Sequence, residues 1–421
     1  MSTTTVTHPE PDSSQAPRGG LAPAFREYIA KVRGGDVGSL PAVLGLAVLV
    51  VVFSILRPTS FTNAFNFANL IHQAAAVIVI AMGLVFVLLL GEIDLSAGFT
   101  AGTSAAFMGI VLTRHGWPWW ASVIVCLLTG TLIGFCIGVL VARLGIPSFV
   151  VTLAAFLGLQ GVMLRTIGEG GTIAVRDSVL LAVNNEDLPV WLGWTLYVVV
   201  VLIYAVVTLR RYLARQASGL QTQGLAVVVA KIATLAVLLG LVTFYLSLER
   251  SRNPTVVSIR GVPEVVALLL VLLVGLTLLL SRTAFGRHIY AVGGNAEAAR
   301  RAGINVRRVK LICFMICSTM AGVAGILLAS RDNSISPTTG GADTLLFSVG
   351  AAVIGGTSLF GGKGRVLDAI LGGLVIAVII NGMGLLNQPS SVVYIVTGIV
   401  LLVAASVDAV SRRRAASTGR I

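Results

Sequence analysis

Ala74-Ala75-Ala76-Val77-Ile78-Val79-Ile80-Ala81-Met82-Gly83-Leu84-Val85-Phe86-Val87-Leu88-Leu89-Leu90 is seventeen residues without a polar side chain, and it runs straight into Gly91-Glu92-Ile93-Asp94-Leu95-Ser96-Ala97-Gly98. The apolar part lies inside a walk of 34 uncharged residues between Arg57 and Glu92. A bilayer crossing needs roughly 20 mostly apolar residues, so the walk is long enough to hold one. Similar walks recur: 28 uncharged residues between Arg114 and Arg143, 22 between Asp187 and Arg210, and 39 between Asp368 and Asp408. Across all 421 residues 56% are hydrophobic and 11% charged, against about 25% charged in soluble domains. The mean hydropathy is +0.95. These numbers exclude a water-soluble enzyme and predict an all-α, polytopic integral membrane protein.

Twelve spans are expected, near 38–56, 74–90, 97–113, 119–141, 147–164, 190–209, 224–247, 263–281, 311–330, 343–360, 366–386 and 392–409, with 10 to 12 plausible. The pair 74–90 and 97–113, and the segment 343–360, are short and border Gly-rich sequence that suits broken or re-entrant helix. With a cytoplasmic N-terminus, 21 of the 30 Lys and Arg fall in cytoplasmic segments. That bias accounts for the net charge of +13 and leaves no role for nucleic acid. Residues 1–37 read as a largely disordered cytoplasmic tail, 38–410 as the membrane domain and 411–421 as a basic cytoplasmic tail. No cleavable signal peptide is expected, since the first apolar stretch leads into Arg57, Pro58 and Thr59. Residues 165–189 are expected as an external loop. The four cysteines, Cys126, Cys136, Cys313 and Cys317, read as buried small hydrophobes, and no metal-ligand spacing is visible.

Two constellations stand out. Gly91, Glu92, Asp94, Ser96 and Gly98 put two carboxylates between apolar stretches, where each acid costs about 2.5 to 3.5 kcal/mol at mid-membrane. Such acids mark a pathway or hinge; the plainer reading is a turn in which Asp94 caps the next helix. A partial echo, Gly355, Gly356, Thr357, Gly361 and Gly362, sits between two later apolar stretches, as interrupted helices do in transporters with internal repeats. The second constellation is the loop 282–310, with seven Lys or Arg against one acid. There Gly293 and Gly294 precede Asn295, which can N-cap a short helix holding Glu297, Ala298, Ala299 and Arg300, and Gly303 and Ile304 follow its end. A surface helix so capped suits docking to a cytoplasmic partner. Glycine ladders at Gly130, Gly134 and Gly138 and at Gly98 and Gly102 predict close helix packing. Gln73, Gln160, Thr100, Thr103, Ser104, Asn381 and Asn387 are uncharged polar groups in or beside spans, more often interhelical hydrogen bonds than solute contacts.

Together, the segments at 91–98, 293–304 and 355–362 and the basic end at Arg412 to Arg414 resemble the permease subunits of bacterial ABC-type monosaccharide importers, in order and spacing, over roughly residues 38–414. The chain is most similar to the D-xylose branch: Glu92 stands where ribose-type members have glycine, and 190–262 looks like extra spans. The resemblance implies import of a monosaccharide, D-xylose or a related sugar, by a permease pair in the cell membrane with both termini cytoplasmic. It implies a separate cytoplasmic ATP-binding cassette ATPase that holds ATP and Mg, an extracytoplasmic sugar-binding protein, and no catalysis or cofactor in this chain. Asn295 to Ile304 then corresponds to the coupling helix, and Gly91 to Gly98 to an interrupted region near the pathway. The rival is a proton-coupled secondary sugar transporter with Glu92 and Asp94 as proton carriers. An intramembrane transferase lacks the second acidic pair a metal-diphosphate site needs.

Overall fold

A computed structural model of the chain describes residues 38–219, 224–251 and 253–417. The expected N-terminal tail, 1–37, lies outside them, as do 418–421 of the expected C-terminal tail. Helices α1 (Leu40–Leu56), α2 (Pro58–Phe61) and α3 (Ala64–Leu89) come first. An irregular stretch leads to α4 (Ala97–Gly109), which continues as a π-helix over Ile110–Arg114. Next come α5 (Trp119–Ala142), α6 (Ser148–Ile167), a two-residue strand β1 (Ile173–Ala174) and α7 (Ser178–Asn185). After α8 (Val190–Ala217) and α9 (Leu225–Leu246) follow α10 (Glu264–Arg282), α11 (Ala284–Gly294), α12 (Ala296–Arg301) and α13 (Val306–Asp332). The chain ends with β2 (Ser334–Ile335), α14 (Ala342–Gly355), α15 (Val366–Leu385) and α16 (Ser390–Ser417).

Among the described residues nine helices are long and apolar enough to cross a membrane: α3, α5, α6, α8, α9, α10, α13, α15 and α16. The expected count of twelve is therefore not reached by length. The other three segments are helical but short, at 17 residues for α1, 13 for α4 and 14 for α14. Conversely α3 starts ten residues before the expected 74, because Asn63 N-caps it by accepting from Phe65 N–H, and its 26 residues span roughly 39 Å.

The described residues of 191–245 belong to one compact unit. Within it Tyr197 donates its hydroxyl proton to the Ala236 carbonyl at 3.1 Å, and Trp194 meets Tyr197 edge to face. The second unit, made of the described residues of 38–190 and 246–417, is built on α3, α13 and α15. Each is buried over most of its apolar window (83%, 61% and 72%), against 28% or less for α5, α6, α10 and α16. Hydropathy does not sort them, since lipid is as apolar as a neighbouring helix. Where these helices approach closely, small side chains make the contact. On α3 a Cβ at Gly83 would stand 2.9 Å from Met320 Cβ of α13, so only glycine allows that approach. The ladder Gly130, Gly134 and Gly138 lies on α13 in the same way, against Ser318, Phe314 and Leu311.

Within residues 165–189, expected as an external loop, β1 and α7 pack against the bundle. β1 pairs antiparallel with β2, and Asn184 at the end of α7 is inserted between α3 and α13. Its side-chain amide donates to the carbonyls of His72 (3.3 Å) and Leu327 (3.2 Å), and Ser330 Oγ accepts from its backbone N–H at 3.0 Å. Asp187 is ion-paired with buried Arg250 at 2.7 Å. Of the cysteines, Cys126, Cys313 and Cys317 are buried, but Cys136 is exposed on the outer side of α5, contrary to expectation.

Between α9 and α10, Glu249 knots the connecting loop by accepting from the backbone of Ser251 and Ile259 and from Ser258 and Arg260. These bonds, the Ser251 amide foremost, hold its carboxyl far below the usual carboxylate range. The folded value lies below the unfolded one, so the knot is at full strength above about pH 4.5 and is lost only as pH falls toward the folded value. Hydrogen exchange at the Ser251 and Ile259 amides should stay slow at pH 5 in the wild type. It should speed up at pH 7 in Glu249→Gln; unchanged protection in that variant would count against the knot.

Candidate functional site

Three glycine-bearing segments, far apart in sequence, meet at the last carbonyl of α3. Gly362 N–H donates to Leu89 O at 2.9 Å. Gly293, near the end of α11, lies so close that a Cβ there would overlap the same oxygen and stand 2.9 Å from Gly362 N. A Cβ on Gly361 would stand 2.9 Å from Gly91 N and 3.0 Å from Gly293 O. Gly91, Gly361 and Gly362 all have positive φ (72°, 82° and 73°), which glycine alone adopts without strain. The expected pathway segment, its echo and the expected coupling loop are thus one backbone junction. Tyr290 of α11 ties the loop again by donating to Gly364 O at 2.8 Å. Burial, and then the Asp368 carboxylate, raise that phenol above its ordinary range, so it stays a proton donor.

From the junction the chain runs through residues 91–96 without regular structure. Glu92 is ion-paired with Lys310, in the second turn of α13, with both side chains mostly enclosed. Asp94 and Ser96 are fully buried. Asp94 Oδ1 accepts from Ser96 N–H (2.9 Å) and Ser96 Oγ–H (2.6 Å), which sets the turn that starts α4. The plainer reading of Asp94 therefore holds in part: one oxygen shapes the helix entry. Oδ2 has no nitrogen or oxygen partner, and the carboxyl group also meets the Cys317 thiol of α13 in a side-chain hydrogen bond. Ser148 at the start of α6 holds the segment from its far side, accepting from Ile93 N–H at 3.3 Å. Gly98 is pressed against the carbonyls of Gly340 and Gly341. In the echo Gly355 is pressed against the Asp368 carbonyl, Gly356 turns at φ 119°, and Thr357 is buried.

The basic loop holds two helices rather than one. In α12 Asn295 Oδ1 accepts from Ala298 N–H at 2.9 Å, and Glu297 pairs with Arg300 (2.7 Å) and Arg301 (3.4 Å). Gly303, at φ 84°, ends the helix, with Ile304 N–H returning to the Ala299 carbonyl at 3.0 Å. The two arginines are 70% and 80% exposed, so their pairs with Glu297 contribute little to stability and leave a charged surface free to dock. Ala299 alone turns inward.

The uncharged polar groups divide. Asn381 and Gln73 are interhelical hydrogen bonds: Asn381 Nδ2 donates to Asn66 Oδ1 (2.9 Å) and to Gln73 Oε1 (3.4 Å). Asn387 is exposed and Gln160 half-buried. Thr100, Thr103 and Ser104 are buried, and their side-chain hydroxyls have no hydrogen-bond partner. Sequence reading missed Lys310, Ser148 and Asn184. Only Lys310 carried a usable signal, as a charge at the mouth of an apolar run that needs a partner.

The family described as "Branched-chain amino acid transport system / permease component" matches residues 66–212 and 188–405. The xylose transport system permease protein XylH of Escherichia coli K12 is 36% identical over 372 residues, covering 88% of this chain and 92% of that protein. The ribose import permease protein RbsC of the same strain is 30% identical over 91% of this chain and 96% of its own length. The fructose import permease protein FrcC of Rhizobium meliloti is 31% identical over 90% of this chain and 88% of its own. No solved structure matches.

Proposed function

The chain belongs to the branched-chain amino acid transport system permease family, with sugar permeases among its relatives, and from that premise we propose that it is the membrane subunit of an ATP-binding cassette importer for a monosaccharide. It is a transport subunit, not an enzyme. Its cargo is D-xylose or a related sugar, carried across the inner membrane of a bacterial cell. A cytoplasmic ATPase binds ATP and Mg and docks on α12; an extracytoplasmic sugar-binding protein delivers the cargo; two copies of the permease form the pathway. The positive-inside bias supports a cytoplasmic position for both termini.

The observation that carries this reading is the junction at Leu89 O. An exposed, capped helix has no reason to be fused rigidly to an interrupted membrane segment unless force passes between them. Gly293 enters the junction just before α12, and Lys310 grips Glu92 just after it. A partner that binds α12 differently in its two nucleotide states therefore moves residues 91–98 with it, and differential affinity of this kind is what shifts a conformational equilibrium. The same contacts weigh against proton coupling, since Glu92 already has a fixed cation.

The test is purification of the tagged chain from mild detergent with its ATPase, followed by ATP-driven uptake in vesicles. Gly303→Pro or Glu297→Arg should leave membrane insertion at the wild-type level, lose the bound ATPase and reduce uptake by about tenfold or more. Normal uptake by both variants would remove the coupling role from α12. A chain that purifies alone, and imports sugar on a proton gradient without ATP, would replace this reading with the proton-coupled one.

A further inference from the structure

Acids within a membrane bundle face its interior or water, and Asp94 and Asp368 keep to that rule at 0% and 3% exposure. Asp343, in the first turn of α14, lies on the outside of the chain. Its Oδ2 accepts from the Tyr394 hydroxyl of α16 at 2.6 Å. Tyr394 is itself 47% exposed, and its ring stacks on Phe347, one turn along α14, with centroids 6.3 Å apart and planes at 25°.

The pair does not stand at the tips of its helices. α14 and α15 run antiparallel, with Gly355 against the Asp368 carbonyl and Gly372 against the Ala351 carbonyl. From Ala351 to Asp343 is about 12 Å along α14, whereas α15 continues about 20 Å from Gly372 to its end at Leu385. Asp343 is therefore sunk about 8 Å below the end of α15. Tyr394 gives much the same depth, about 6 Å in from Ser390 at the start of α16. The segment before α14 holds its start at this level by running back along α4. Ile335 meets Gly109, Thr339 O meets Gly102 and Gly340 O meets Gly98. This end of the bundle is the one away from the glycine junction, which comes just before α15 begins.

A carboxylate at that depth on the outer face of one chain is incompatible with a hydrocarbon neighbour and calls for water or a polar group. Where two copies enclose the pathway, water within the membrane plane lies between them. We propose that Asp343 and Tyr394, with Phe347 stacked behind, form a contact site for the monosaccharide on the pathway wall between the two copies, in the half of the membrane from which sugar enters. The inference rests on the importer reading and assigns residues to it. The carboxylate accepts from sugar hydroxyls, and the phenol oxygen can accept from one while it donates to Asp343. The aromatic ring supplies a flat apolar surface for the C–H face of the sugar. Around the pair the surface is apolar, with Leu346 59% and Ile395 62% exposed, so a few fixed polar groups stand in an otherwise apolar wall, as in small-molecule sites generally.

The complete transporter, with its ATPase and binding protein in proteoliposomes, is assayed with radiolabelled D-xylose, D-ribose and D-fructose. Asp343→Asn should assemble with the ATPase and keep the wild-type thermal midpoint, because the pair is exposed, while uptake falls about tenfold or more. Tyr394→Phe, which keeps the ring and its stacking, should lower uptake about threefold and is read in the same way if Asp343→Asn fails to assemble. The second measurement places a thiol at the site as Tyr394→Cys in a Cys136→Ser background, the other three cysteines being buried. A membrane-impermeant cationic thiosulfonate added from outside should label it, and D-xylose should slow the labelling. Wild-type uptake by Asp343→Asn would overturn the inference. Absence of labelling, which would mean that lipid or protein covers the face, would do the same, as would labelling at a rate that D-xylose leaves unchanged. A wild-type assembly that moves none of the three sugars brings down the importer reading and this assignment with it; equal uptake by the wild type and Asp343→Asn brings down only the assignment.

Discussion

Gly293→Ala should destroy the assembled permease, whereas Gly294→Ala, one residue further on, should leave it intact or slightly more stable. A methyl group on Gly293 has to occupy the space of the Leu89 carbonyl oxygen and press on Gly362 N, and both are backbone atoms of buried segments that have no rotamer by which to yield. Overpacking of this kind costs about 1 to 3 kcal/mol where neighbours can shift, and more where they cannot. The Gly362 to Leu89 hydrogen bond would be lost with it. Around Gly294 a Cβ meets nothing within 4 Å, and in a helix the change from glycine to alanine gains up to about 1 kcal/mol. Membrane yield and thermal melting of the two variants in detergent read the contrast directly. Equal behaviour would mean that the three glycine segments do not meet as described.

Charge reversal at either end of the Glu92–Lys310 pair should nearly abolish ATP-driven uptake, and reversal at both ends should restore most of it. The partners lie 218 residues apart and are only 16% and 25% exposed, so removing one leaves a charge with little water to solvate it. Breaking an enclosed pair costs several kcal/mol. Partial exposure brings this one to about 2 kcal/mol. The consequence for transport exceeds the consequence for stability, because Lys310 is the contact through which the turn after α12 holds the 91–96 segment. Glu92→Lys and Lys310→Glu should therefore insert and bind the ATPase yet transport at about a tenth of the wild-type rate or less. A double reversal no better than either single one would show that the pair does not transmit the movement.

The capped helix α12 was legible residue by residue. Asn295 at its start and Gly303 at its end act through groups one to three positions away, and such local chemistry is written in order along the chain. The apolar spans were legible for a related reason, since the cost of charge in hydrocarbon is paid by each residue independently. Asn184 shows where that logic fails. It sits among Asn, Glu and Asp, a composition that reads as solvent-exposed loop, yet its amide is buried because carbonyls of His72 and Leu327 wait for it. Thr100, Thr103 and Ser104 fail in the opposite sense. Partners were the safer expectation for them, and the packing supplies none.

Sequence by itself determined that the chain is a bundle of membrane helices, where most of them lie, which loop presents a capped basic helix, and which three glycine-rich segments set it apart. Tertiary structure decided that those segments meet at one carbonyl, that Glu92 is held by Lys310, that Asn184 is inserted between α3 and α13, and that the buried hydroxyls of Thr100, Thr103 and Ser104 find no partner. The division has one physical reason. Transfer energies and helix caps depend on a residue and its near neighbours in the chain, whereas close approach and hydrogen-bond satisfaction depend on what the fold brings from hundreds of residues away.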